Sequence, residues 1–235
     1  MTEIEVRGLT KTFGTVTAVR DLSFAAPGGK ITGFLGPNGS GKTTTLRAAL
    51  GLIRPSAGEV LIGGVPYRRL AQPRRRVGAL LDAAGFHPGR RARDHLRVLA
   101  APAGVPDRRV DEVLGLVDLG PSGNRRVREF SFGMRQRLGL AAALLGDPEV
   151  LLLDEPANGL DPSGIAWLRA LLRSLAREGR TIVVASHVLS EVAQAADQVV
   201  IVTAGQLRFA GPLRELGGSG GALESAFLKL TAVPG

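Results

Sequence analysis

Apolar positions follow two rhythms along this chain. Short apolar runs at residues 31–35, 150–153, 181–185 and 198–202 carry almost no polar side chain. Runs of that length and purity read as strands buried on both faces. Between them lie stretches with helical spacing. Residues 134–145 are small and apolar on much of their surface, through Leu138, Gly139, Ala141, Ala142, Ala143 and Leu145, so this helix should lie close against a sheet. Residues 163–177 read as an amphipathic helix. Strands alternating with helices predict a mostly parallel sheet with crossover helices, an α/β architecture.

Two other regions break this rhythm. Residues 3–6, 22–25 and 59–62 alternate or run apolar between turn residues, and read as strands of a separate antiparallel sheet. From residue 70 to 130 the pattern changes again. Pro73, Pro88, Pro102, Pro106 and Pro121 punctuate short helical stretches such as 92–100 and 107–117. They predict a small helical insertion, about residues 83–130. Residues 217–221 read as a flexible Gly/Ser linker, followed by a short helix at 223–230. No internal repeat is present, so residues 1–235 are expected to form one domain.

Composition narrows the classes. A chain of 235 residues with 44% apolar content can bury a sizeable core. No uncharged apolar stretch approaches the roughly 20 residues a bilayer span needs. The start, Met1-Thr2-Glu3-Ile4-Glu5, has neither the basic nor the apolar part of a secretion signal. The absence of cysteine excludes disulfides and thiolate metal sites. Net charge is +9, and it is uneven: residues 66–133 hold fourteen arginines against seven carboxylates. Nucleic acid, anionic lipid or an acidic partner could meet such a surface; equally, it could be a solvated face.

Candidate chemistry begins where the strand at 31–35 ends. Gly36-Pro37-Asn38-Gly39-Ser40-Gly41-Lys42-Thr43-Thr44 fits G-x-x-x-x-G-K-[ST], and a helix-compatible stretch at 44–52 follows it. Glycines let successive backbone amides point at one anion, and the new helix adds the positive end of its dipole. Lys42 would reach the β- and γ-phosphates, and the Thr43 hydroxyl would hold Mg²⁺. The strand at 150–153 delivers Asp154 and Glu155 to the same edge of the sheet. Asp154 could hold Mg²⁺ opposite Thr43, and Glu155 could accept a proton from an attacking water. The strand at 181–185 delivers His187 to that edge, as a candidate contact to the γ-phosphate. Ser131 and Gly133 begin the Ala-rich helix and form a second anion-binding helix start. One phosphate loop with two such starts suggests a head-to-tail pair of subunits, each lending its second helix end to the other's ATP.

Together these residues resemble the ATP-binding subunits of ABC transporters, from residue 4 to residue 230. Gly36 to Thr44 matches the family's Walker A motif, and residues 150–155 match Walker B. Gly159-Leu160-Asp161 looks like the loop that touches the partner subunit, and His187 matches the switch histidine. Phe13, in Lys11-Thr12-Phe13-Gly14, matches the aromatic that stacks on adenine. Two departures stand out. The family's Leu-Ser-Gly-Gly-Gln signature is here Phe130-Ser131-Phe132-Gly133-Met134, which keeps Ser131 and the second glycine. A glutamine expected about forty residues after Walker A is replaced by Asp82, which the resemblance places near the metal. An acid there, with Phe-Ser-x-Gly-Met and Gly85-Phe86-His87-Pro88, is similar to the bacitracin- and antibiotic-exporter branch.

The resemblance implies a P-loop NTPase core with an antiparallel β subdomain and a helical insertion. It implies ATP and Mg²⁺ as ligands, a second ATPase subunit forming a homodimer, and separate transmembrane permease subunits. It places the chain in the cytoplasm, peripheral on the inner face of the membrane, and makes nucleic acid an unlikely partner. A soluble ATPase acting on nucleic acid or ribosomes, or an importer subunit, are the alternatives. Phe86, with Arg90, Arg91, Arg93 and Arg97, is a candidate docking groove for a permease segment.

Overall fold

The computed structural model describes residues 1–81, 85–217 and 221–231. Nine strands form two sheets among these residues. β1 (Ile4–Phe13), β2 (Val16–Ala26) and β4 (Ala57–Ile62) form an antiparallel sheet with β1 in the centre. The remaining six strands are β3 (Ile31–Leu35), β5 (Val77–Leu80), β6 (Val150–Asp154), β7 (Thr181–Ser186), β8 (Gln198–Thr203) and β9 (Gln206–Pro212). They pair in the order β5-β6-β7-β3-β8-β9, parallel except for the last pair. Every residue of β3, β6 and β7 is buried. That is the burial their unbroken apolar runs require: helices cover one face of this sheet, and one helix together with the antiparallel sheet covers the other.

The antiparallel strands run longer than their apolar cores. β1 and β2 continue past the apolar residues to a tight turn at Gly14-Thr15, carrying polar side chains on a solvated face. Two strands have no counterpart in the apolar pattern. β5 precedes the predicted helical insertion in a stretch where no strand is predicted, and it is only four residues long. β9 is an edge strand with no buried residue. It returns from β8 through Ala204-Gly205, both at positive φ, as a two-residue hairpin turn.

The helices are α1 (Lys42–Ala49), α2 (Pro73–Arg76), α3 (Ala92–Ala100), α4 (Asp107–Leu116), α5 (Phe132–Leu144), α6 (Pro162–Arg177), α7 (Leu189–Ala193) and α8 (Gly221–Thr231). Between β5 and α5 the described chain is helical apart from short turns and one isolated bridge. α5 lies flush on β5. A Cβ at Gly78 would fall 2.0 Å from the Ala143 carbonyl oxygen, so only glycine lets the backbones approach this closely.

Four arginines of the insertion are paired locally. Arg93 pairs with Asp111, Arg97 with Asp107, Arg109 with Glu112 and Asp147, and Arg125 with Glu129. At the candidate docking groove, Phe86 is partly buried. The Phe86 ring packs against the core and meets His95 edge-on, with centroids 4.9 Å apart. Part of its aromatic surface stays accessible, and Arg93 and Arg97 are engaged by α4. No helix of the described residues is long and apolar enough to cross a membrane.

Candidate functional site

β3 ends at Leu35, and the chain turns through residues 36–41 into α1. This helix begins at Lys42, two residues before the apolar pattern suggests. Gly41 sets the boundary: its φ is +97°, and a Cβ there would lie 2.6 Å from the Ala18 carbonyl oxygen. No side chain caps the helix, so the first-turn amides keep their donors directed out of the helix. Lys42 is buried, and its Nζ donates to the carbonyl oxygens of Gly36 at 2.6 Å and Pro37 at 3.1 Å. Burial lowers the Lys42 pKa, and the carboxylates of Glu155 and Asp154 work against that shift. Ser40 is also buried, with no hydrogen-bond partner for its hydroxyl among the described residues.

β6 places Asp154 opposite α1. Thr43 Oγ1 donates to Asp154 Oδ2 at 2.6 Å. Asp154 Oδ1 is buried with no partner among the described residues. Burial raises the Asp154 pKa above its ordinary value; the Thr43 hydrogen bond opposes the rise and the Glu155 charge adds to it. A buried carboxylate oxygen with no donor, next to a hydroxyl, is a donor set suited to a hard divalent cation. These residues therefore fit Mg²⁺.

Glu155 follows Asp154 with φ at +47°, an uncommon conformation for a residue with a long side chain. Its N–H donates to the Ala185 carbonyl at 2.9 Å. Its carbonyl accepts from Gln136 Nε2 at 2.9 Å and from the Asn158 N–H at 3.2 Å. Its carboxylate meets the end of β7. Oε1 accepts from the His187 N–H at 3.1 Å and lies 2.9 Å from His187 Nδ1, while Ser186 Oγ is 3.4 Å from Oε2.

One cavity of about 380 Å³ joins most of these groups. Phe13, Ala18, residues 38–44, Asp154 and Glu155 line it. Phe13 is half exposed, and the Lys11 ammonium sits 4.7 Å from its ring centroid. The second helix start lies elsewhere: Ser131 and Gly133 line no part of this cavity. Ser131 is the N-cap of α5, with Oγ accepting from the Met134 N–H at 3.2 Å, and the neighbouring Phe132 is exposed. Asp82 lies outside the described residues.

Three contributors were not legible as site residues: Gln136, Ser186 and Lys11. Gln136 stands out only in the structure. It sits between Arg135 and Arg137 at the start of α5, yet it is 5% exposed. A buried amide needs partners, and one of these is the Glu155 backbone.

A parallel sheet with a glycine-rich loop running into a helix, and an acid pair on the neighbouring edge, defines a P-loop nucleotide-binding protein. Comparison with known proteins makes the class specific. Residues 19–158 match the ABC transporter family. The chain is 44% identical over 209 residues to the bacitracin transport ATP-binding protein BcrA of Bacillus licheniformis, covering 88% of this chain and 68% of the relative. It is 35% identical over 204 residues to the lantibiotic transport ATP-binding protein SrtF of Streptococcus pyogenes, covering 87% and 88%. A solved structure, described as that of an ATP-binding subunit of an ABC transporter, superposes with a TM-score of 0.86 at 26% identity, covering 97% of this chain and 98% of the other. The chain belongs to the ABC transporter family, as an ATP-binding and ATP-hydrolysing subunit related to the bacitracin and lantibiotic transport ATP-binding proteins.

Proposed function

We propose that this subunit powers export of an antibiotic peptide, drug or similar amphiphile. It works as a head-to-tail homodimer on separate permease subunits at the inner face of the cytoplasmic membrane. Similarity to BcrA over 88% of the chain supports the substrate class. The meeting of Lys42, Thr43, Asp154 and Glu155 around one cavity supports the chemistry.

Lys42 holds the β- and γ-phosphates with a charge that is poorly hydrated and therefore strongly felt. The loop amides and the start of α1 receive the same oxygens. Thr43 and Asp154 and, where the resemblance places it, Asp82 would hold Mg²⁺, which would supply charge neutralisation at the phosphates. Phe13 gives the adenine a stacking face. Glu155 takes the proton of the attacking water, and His187 holds the carboxylate while presenting its ring to the γ-phosphate. Ser131 and Gly133 reach the nucleotide of the facing subunit.

Replacing Glu155 by Gln keeps the shape and removes the base. Hydrolysis should fall by about 10²–10⁴-fold, while ATP stays bound and the chain sediments as a dimer with Mg-ATP. Parental turnover in this variant would remove Glu155 from the role. Direction is tested by pull-down of the permease with this chain, then peptide uptake into inverted vesicles. ATP-driven loss from the vesicle lumen would overturn export.

A further inference from the structure

The buried amide of Gln136 spans two parts of the fold. It belongs to α5, five residues beyond the Ser131 cap, and it ends on the backbone of Glu155. It is 5% exposed, and its Nε2 is 2.9 Å from the Glu155 carbonyl oxygen. Glu155 itself holds φ at +47°. A long side chain in that region costs energy, and the conformation persists only when surrounding bonds over-determine it. The bonds are identifiable. The Ala185 carbonyl fixes the N–H before Glu155, while Gln136 and the Asn158 N–H fix the carbonyl after it. Of these three, only Gln136 reaches in from α5, the helix that carries Ser131 and Gly133.

We infer that Gln136 is a positioning residue for Glu155. It pins the peptide after Glu155 and so fixes where the carboxylate stands relative to the attacking water. The inference rests on the proposed role of Glu155 as the base. It adds a link: α5 faces the partner's nucleotide at its start and holds this subunit's own base at Gln136. Occupation of one site is thereby felt at the base of the other.

The test replaces Gln136 by Met, which keeps the length and removes the donor, and by His, which keeps a ring N–H. Full-length chains are assayed with Mg-ATP for kcat, KM and equilibrium ATP binding, after thermal melting confirms a folded protein. Displacing a reacting group by less than an ångström costs on the order of tenfold. Gln136→Met should lower kcat by about that factor and leave ATP affinity within about twofold, with a reduced Hill coefficient. Gln136→His should keep kcat within about threefold of the parent. Added to Glu155→Gln, Gln136→Met should cause no further loss in single-turnover hydrolysis, because residues acting as one unit are not additive. Parental kcat in Gln136→Met, a parallel loss of affinity, or the full factor on the Glu155→Gln background would overturn the inference. If Gln136→Met does not fold, a tenfold or larger loss of kcat in folded Gln136→His would do so. Failure of the base assignment itself is separately visible, as parental turnover in Glu155→Gln alone.

Discussion

Two helices of this protein start where an anion can be received, and they are built differently. α1 begins at Lys42 behind a left-handed glycine, with no side-chain cap. α5 begins behind Ser131, whose hydroxyl accepts from the Met134 N–H, and it opens on an exposed Phe132. The first start has open amides and a buried lysine beside it. The second has satisfied one of its own amides and lies outside the nucleotide cavity. An uncapped helix end surrounded by its own chain is costly unless a ligand answers it, so α1 is organised around something it binds. A capped end on the surface is stable alone, and it suits a contact that comes and goes with a second subunit.

The largest effect should come from the first start. Lys42→Met removes the buried cation, and loss of one preorganised donor costs about 10²–10³-fold in turnover. Steady-state ATPase and nucleotide binding should both fall. Retained ATP binding with lost turnover would mean that the open amides of α1 hold the phosphates without the lysine. The second start should behave otherwise. Ser131→Ala removes the cap of α5, worth about 1 kcal/mol of stability. ATP affinity of the isolated subunit should not change, while ATP-driven dimerisation weakens in sedimentation. Equal loss of affinity in the isolated subunit would erase the distinction between the two starts.

The smallest effect concerns Asp154, the carboxylate facing α1. Its pKa is raised by burial, so the folded chain holds a proton that the unfolded chain has lost between the raised value and the ordinary 3.8. Its charge therefore costs stability at neutral pH, and that cost disappears as pH falls through the raised value. Asp154→Asn should melt about 2–4 °C higher near pH 7, the equivalent of ~1 kcal/mol for a chain of this size. The gap to the parent should close as pH falls towards 4. A constant gap across that range would show that burial of the charge is not the cause.

The sequence by itself determined the parallel core, because runs such as Val150 to Leu153 can be buried on both faces only in a covered sheet. It also determined the loop at 36–44 and the acids at 154 and 155, because each follows directly from a strand end. Local order was enough there: a strand delivers its next residues to one edge of the sheet. Elements whose stability is not local were illegible. β5 is four residues long and is held by pairing with β6 and by α5 lying against Gly78. β9 exposes its side chains and is held by its ladder to β8. The bond from Gln136 to Glu155 spans nineteen residues and a change of element. Only the tertiary structure could decide it, because periodicity records which residues are buried and not which backbone carbonyl a buried amide will find.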